Sequence, residues 1–260
     1  IFCMDFNQIN RLDRVTDTVT ANTTAVRVLI DHHLHPPVDG YAVQFSDTHA
    51  CSTSYIVYQL LEALAGTDAI DQAMAESLYV GIMTDTGNFS FSSLTSDLFR
   101  AVAVLIDKGV NVPYVNSSVY NNFSEGRMRL LGYMLNDKMV TDYEFGVAYV
   151  SLTEEEMRRF DFIQGDSEGF VNYPLSIRGI RMSAMFIQTK HSIRVSLRSR
   201  GEVDVNVFAR RYFDGGGHRN AAGGKSYVPM NETLENFRKY LREPERSATG
   251  RTIRACFSRY

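Results

Sequence analysis

The run Val28-Leu29-Ile30-Asp31-His32-His33 constrains this chain more than any other stretch. Its apolar residues end abruptly on an aspartate and two histidines. Such a run suits a strand buried on both faces of a parallel sheet. A strand that stops on these side chains presents them at its carboxyl end, where open α/β sheets bind ligands. Paired histidines after a buried strand fit a structural corner, with imidazoles bonded to nearby carbonyls, as readily as a metal site. Two later stretches, Thr84-Asp85-Thr86-Gly87 and Gly215-Gly216-Gly217-His218, favour the second reading.

Residues 1–4 form another apolar run ending on an acid, Asp5, and residues 41–45 read as a third strand after the Pro36-Pro37 turn. The polar stretch 7–24 reads as a loop with one short helix. Helical periodicity follows. Ser52 or Thr53 caps a helix with Val57, Leu60, Leu61 and Leu64 on one face, stopped by Gly66. Asp71 caps the next, with Met74, Leu78, Gly81 and Ile82 in one stripe. Ser96 or Asp97 caps a third, carrying Leu98, Val102, Leu105 and Ile106. Strands alternating with helices predict an α/β domain, a mainly parallel sheet flanked by helices, over residues 1–122.

Residues 123–138 predict a linker helix, with Met128, Leu131 and Leu135 on one side. Beyond it the pattern changes. Residues 145–152, 181–188 and 192–199 alternate as half-exposed strands, the last two joined by a hairpin at Thr189-Lys190-His191. Residues 204–213 look helical, and an amphipathic helix carries Leu234, Phe237 and Leu241. A smaller α+β domain with a mixed sheet is therefore expected over residues 139–260.

Charge divides at the same place. Residues 1–122 hold 5 basic and 13 acidic side chains, residues 123–260 hold 22 and 17. An acidic front suits bound cations and a basic back suits anions, although ordinary surface variation gives such a split too. The three cysteines, Cys3, Cys51 and Cys256, are widely spaced, which fits a reducing compartment rather than a disulfide framework or zinc knuckle. No apolar run approaches the ~20 residues of a membrane span, and no signal peptide is expected.

Asp5, Asp31, His32, His33 and Asp85 all fall at ends of elements. Carboxylates converging in a region poor in Lys and Arg repel one another unless a cation lies among them, and carboxylate with imidazole suits a divalent cation such as Mn²⁺. Taken singly, Asp85 is an ordinary turn residue and Asp5 a loop-start residue. In the basic half, Arg194, Ser196, Arg198 and Arg200 share a strand face by alternation, which also describes a solvated sheet face. The glycine run lets backbone N–H groups approach an anion, with His218 and nearby arginine completing the shell.

In this order, Asp31-His32-His33, Thr84-Asp85-Thr86-Gly87 and Gly215-Gly216-Gly217-His218 resemble the DHH phosphoesterase superfamily with its DHH-associated C-terminal domain. Within it the chain is most similar to the nanoRNase/3′-phosphoadenosine 5′-phosphate phosphatase family, related to the RecJ exonuclease. The strand Ser196-Leu197-Arg198-Ser199 and Asp204-Val205-Asn206 fit that subfamily, and the likeness covers essentially the whole chain.

The resemblance implies two Mn²⁺ ions, with Mg²⁺ or Co²⁺ able to substitute. Asp5, His32 and Asp85 would be metal ligands. Asp31 would orient an imidazole, and His33 would face the scissile phosphate. Arg198, Ser199, Gly215, Gly216, Gly217 and His218 would hold the substrate. A hydroxide activated by the two ions would cleave short RNA to mononucleotides and 3′-phosphoadenosine 5′-phosphate to AMP, in the cytoplasm, with a homodimer among the expected assemblies. A cyclic-dinucleotide phosphodiesterase and a non-catalytic nucleotide-binding module are the alternatives. The family also carries an earlier motif, a histidine followed closely by two aspartates, and none stands before Asp5. Since the chain opens inside a strand, the front of the domain is expected upstream of Ile1.

Overall fold

The computed structural model describes residues 1–90 and 94–243. The chain divides into two compact units, Ile1–Asn122 and Phe123–Tyr260. No helix among the described residues is long and apolar enough to cross a membrane.

The first unit is built on a three-stranded parallel sheet, β1 (Phe2–Met4), β2 (Val28–Asp31) and β3 (Val43–Ser46), in that spatial order. β2 is central and buries Leu29 and Ile30. The polar stretch after β1 folds as a 3-10 segment, Ile9–Val15, and a short helix α1, Thr16–Ala21. Cys3, Phe6 and Leu29 pack together with Leu12 and Tyr41. Four helices follow: α2 (Thr53–Ala65), α3 (Gln72–Asp85), α4 (Ser96–Asp107) and α5 (Val112–Tyr120).

The hydroxyl of Ser52 caps α2 and the carboxylate of Asp71 caps α3. The cap of α4 is Thr95, not Ser96 or Asp97: Thr95 has the extended backbone a cap needs, and its hydroxyl accepts from Leu98 N. On α2, Ile56 and Tyr58 are buried and Val57 and Leu61 of the expected stripe pack against the core that holds Tyr58, whereas Leu64 is 82% exposed at the last turn. On α3, Leu78 and Ile82 are buried as expected, but Met74 is exposed. Helix α5 lies outside the expected elements; Asn111 at its cap and Pro113 in its first turn mark it.

The second unit is a six-stranded sheet in the order β4-β5-β6-β7-β9-β8, from β4 (Val140–Asp142), β5 (Val147–Leu152), β6 (Met182–Gln188), β7 (Ile193–Ser199), β8 (Gly216–His218) and β9 (Ala221–Ser226). β5 and β6 run parallel and every other pair is antiparallel, so the sheet is mixed. Only β7 shows the expected half-exposed alternation. β5 and β6 are central and buried on both faces, with separate apolar clusters to either side.

Helix α6 (Glu125–Tyr133) continues through a π turn, Met134–Lys138, and buries Leu130, Leu131 and Met134. Met128 is exposed instead, because Arg127 takes the inward position. Arg127 lies over the Phe123 and Phe170 rings and donates to the carbonyls of Asp166 and Glu168. Helix α7 (Glu154–Arg158) follows β5, and α8 (Val205–Tyr212) is capped by Asp204. Helix α9 (Met230–Arg242) buries Phe237 and Leu241.

Candidate active site

Asp5 leaves β1 in the left-handed region, with φ of 65°, while its N–H still donates to Ile30 O at 3.1 Å. A non-glycine residue held there is strained, and such strain concentrates at functional sites. The turn delivers the carboxylate to the start of α2, where Thr53 Oγ1 donates to Asp5 Oδ1 at 2.8 Å. The positive end of α2 favours the anion as well. Asp85 arrives from another direction, as the last residue of α3. Helices α2 and α3 approach so closely that a Cβ on Gly81 would lie 1.9 Å from Ser54 Oγ. Met4, Asp5, Thr53, Ser54, Gly81, Thr84 and Asp85 line a cleft of about 200 Å³.

His32 and His33 extend from β2 into the same place, their rings edge to face with centroids 4.9 Å apart. His32 Nδ1 lies 3.3 Å from Ala50 O, so the tautomer that donates there turns the Nε2 lone pair toward the carboxylates. Nε2 is 3.6 Å from Asp5 Oδ1 and 3.7 Å from Asp85 Oδ2. Those separations are too long for hydrogen bonds. They match donors placed at ~2.1 Å around one ion, which leaves neighbouring ligand atoms roughly 3.5 Å apart. A lone pair aimed at two carboxylates is repulsive unless a cation lies between them, and Asp5, His32 and Asp85 together could hold a metal ion. Burial pushes the Asp85 carboxyl above its ordinary value and Asp5 adds to this, while His32 and His33 pull it down. A bound cation would relieve both effects.

Asp31, fully buried, accepts from His33 Nδ1 at 2.7 Å. Burial alone would raise its carboxyl, but the bond and charge of His33 outweigh it and hold the group below the usual range. Its other oxygen, Oδ2, is buried without a hydrogen-bond partner. The structure thus gathers all five residues of the first unit that the sequence singled out. Thr53 and the Ala50 carbonyl join them unforeseen; Thr53 stood in the sequence only as a candidate cap.

In the second unit Arg198 and His218 belong to one register row, Arg198 opposite Ala221 on β9 and Ala221 opposite His218 on β8. Burial pulls the Arg198 guanidinium below its usual value, and the Glu168 carboxylate opposes this. Ser199 departs from the expectation. Strand alternation turns it to the opposite face, where it is buried, donates to Val203 O at 2.6 Å and accepts from Asn220 Nδ2 at 2.9 Å. It pins a turn instead of facing substrate beside Arg198.

The glycine run is not a loop: Gly215 leads directly into the edge strand β8, which holds Gly216 and Gly217. A Cβ on Gly215 would meet Gly223 O at 2.0 Å, and one on Gly217 would meet Ala221 O at 2.5 Å, so packing alone requires both glycines. Gly216 has ordinary space, its nearest neighbour being Asn206 Oδ1 at 3.5 Å. The same Asn206 oxygen accepts from Gly217 N at 3.0 Å.

Residues 1–82 match the model of the DHH family N-terminal domain, and residues 143–244 match that of the DHHA1 domain. An exopolyphosphatase-related protein of Bacteroides fragilis, known from its crystal structure, is 39% identical with a TM-score of 0.87, over 93% of this chain and 70% of that one. The chain belongs to the DHH family, carrying a DHH domain followed by a DHHA1 domain. Among curated relatives, the bifunctional oligoribonuclease and PAP phosphatase NrnA of Bacillus subtilis is 32% identical over 76% of this chain. The cyclic-di-AMP phosphodiesterase GdpP of the same species is 28% identical over 83% of this chain. The chain spans 62% of the first relative's length and 32% of the second's.

Proposed function

We propose that this protein is a metal-dependent phosphoesterase that cleaves short RNA oligonucleotides to mononucleotides and 3′-phosphoadenosine 5′-phosphate to AMP. The observation that carries the reading is the convergence of Asp5 and Asp85 on His32 Nε2, in a chain similar to an oligoribonuclease and PAP phosphatase. Asp5, His32 and Asp85 would hold a divalent cation, Mn²⁺ being the choice that suits mixed carboxylate and imidazole donors. When bound, such ions polarise a phosphoryl oxygen and make water a nucleophile at neutral pH.

The chain's own residues do the rest. Thr53 fixes the Asp5 carboxylate by its 2.8 Å bond, and Ala50 O sets the His32 tautomer. Asp31 holds the Nδ1 proton of His33 and so fixes the tautomer and orientation of a ring that would exchange a proton with the phosphate or its leaving oxygen. Arg198 and His218, beside the glycine strand, would bind a phosphate or sugar of the nucleotide. The arginine suits this because it is half-buried with no carboxylate at bonding distance among the described residues.

The likeness to GdpP supports a second reading, a cyclic-dinucleotide phosphodiesterase on the same residues. The test is hydrolysis by the full-length protein of a dinucleotide RNA, 3′-phosphoadenosine 5′-phosphate and cyclic di-AMP, with Mn²⁺ or with chelator. Manganese-dependent release of mononucleotide from the first two supports the proposal. Turnover of the cyclic substrate alone selects the second reading, and binding without turnover of any would leave only a nucleotide-binding module. In the same assay Arg198→Ala should mainly raise KM; unchanged parameters would make that strand face a solvated surface.

A further inference from the structure

Arg194 and Lys225 stand directly opposite each other on β7 and β9. Both are exposed, and among the described residues neither has a carboxylate within ion-pair distance. Like charges directly opposite on an antiparallel pair are destabilising. Nor is the arginine loose: its Nη2 donates to the hydroxyl of buried Ser167 at 2.8 Å, a neutral partner that orients the guanidinium without cancelling its charge. A fixed guanidinium beside an ammonium, with no anion of the protein's own, is suited to an oxyanion from outside.

Both cationic ends lie on one strip of the sheet. From the Arg198–Ala221 row the register runs through Ser196–Gly223 to Arg194–Lys225. On β7 and β9 that face carries Ser196, Ala221 and Gly223 between the cationic side chains, all three half-buried. Four residues of strand separate the ends by roughly 14 Å. That is about two extended nucleotide steps, beyond the reach of a dinucleotide whose phosphate rests on Arg198.

We infer that Arg194 and Lys225 form a second phosphate subsite, which takes a distal phosphodiester of an RNA of about four nucleotides or more. The inference rests on the reading of Arg198 as the proximal phosphate contact. It assigns to this strip a substrate-length preference: the oligonucleotide engages both ends, whereas a dinucleotide and 3′-phosphoadenosine 5′-phosphate engage only the first.

The experiment compares wild type, Lys225→Gln and the double variant Arg194→Gln/Lys225→Gln of the full-length protein with Mn²⁺. Substrates are RNAs of increasing length and 3′-phosphoadenosine 5′-phosphate. For a pentanucleotide, the double variant should raise KM about tenfold and flatten the logarithmic salt dependence by about 1 to 2 in slope. Its parameters for the dinucleotide and the bisphosphate should stay near wild type. Lys225→Gln should melt no lower than wild type, since it removes a repulsion. Equal effects on every length, or none on any, would overturn the subsite. If the wild type hydrolyses none of these substrates, the proposed function fails by itself. Fluorescence anisotropy of a labelled pentanucleotide then decides the subsite: tenfold weaker binding by the double variant supports it, and unchanged binding overturns it.

Discussion

Asp31 and His33 are joined by a 2.7 Å hydrogen bond whose acceptor is wholly excluded from solvent. A buried carboxylate held this way fixes one imidazole tautomer and one ring orientation. Asp31→Asn keeps the volume and an acceptor but loses the charge that steadies a protonated ring. The expected result is a 10- to 100-fold fall in kcat, with little change in KM or in circular dichroism. Unaltered turnover would show that the pair serves only the fold.

Asp85 gives a test of the metal centre that does not depend on turnover. Because burial and Asp5 raise its carboxyl, ionised Asp85 works against folding, and its favourable contribution disappears as pH rises through the carboxylate range toward the raised value. In chelator at neutral pH, Asp85→Asn should therefore melt at or above the wild-type temperature. Added Mn²⁺ should raise the melting temperature of the wild type and have much less effect on the variant. Equal stabilisation of both would exclude Asp85 as a ligand.

Glu156 has the opposite sign. Although burial alone would raise its carboxyl, bonds from Lys138 Nζ at 2.5 Å, Thr153 N at 2.8 Å and Tyr133 Oη at 2.8 Å bring it from 4.5 down to about 2. It also closes the capping box of α7. Its stabilisation is complete above the unfolded carboxyl value and fades as pH falls toward 2; the interval corresponds to roughly 3 kcal/mol at most. Glu156→Gln should cost about 1–3 kcal/mol at pH 7 in chemical denaturation and flatten the loss of stability between pH 5 and 2. Parallel acid curves for the two proteins would contradict this.

Gly215 and Gly216 are adjacent but not equivalent. Gly215→Ala places a Cβ on the backbone of β9 and should destabilise by about 2 kcal/mol or more. Gly216→Ala should change stability by less than about 1 kcal/mol. Matched denaturation midpoints for the two would mean that the edge strand yields freely.

Much of this architecture was legible along the chain. The runs ending at Asp5 and Asp31 lie side by side as parallel strands, but two-sided cover falls to β2 alone: in β1 only Cys3 is buried, while Phe2 and Met4 are exposed. Asp71 and Ser52 declared their helices by cap chemistry, which is local. Thr95 was missed because several polar residues in a row could each cap, and only backbone angles choose among them. The inward place of Arg127 was invisible, since no periodicity announces an arginine that two rings and two carbonyls make welcome.

The same division runs through the candidate site. By itself the sequence determined which residues could carry chemistry, because Asp5, Asp31-His32-His33 and Asp85 sit where apolar patterns break, and those breaks depend only on neighbouring residues. It also marked Arg194, Ser196 and Arg198 as one face, since strand alternation has a fixed period of two. Tertiary structure alone decided the rest: that Asp5 and Asp85 meet at one nitrogen of His32, that the glycines line an edge strand, and that Lys225 lies across from Arg194. Each of these is a distance between residues far apart in the chain, set by how strands register and helices pack, and no local pattern encodes it.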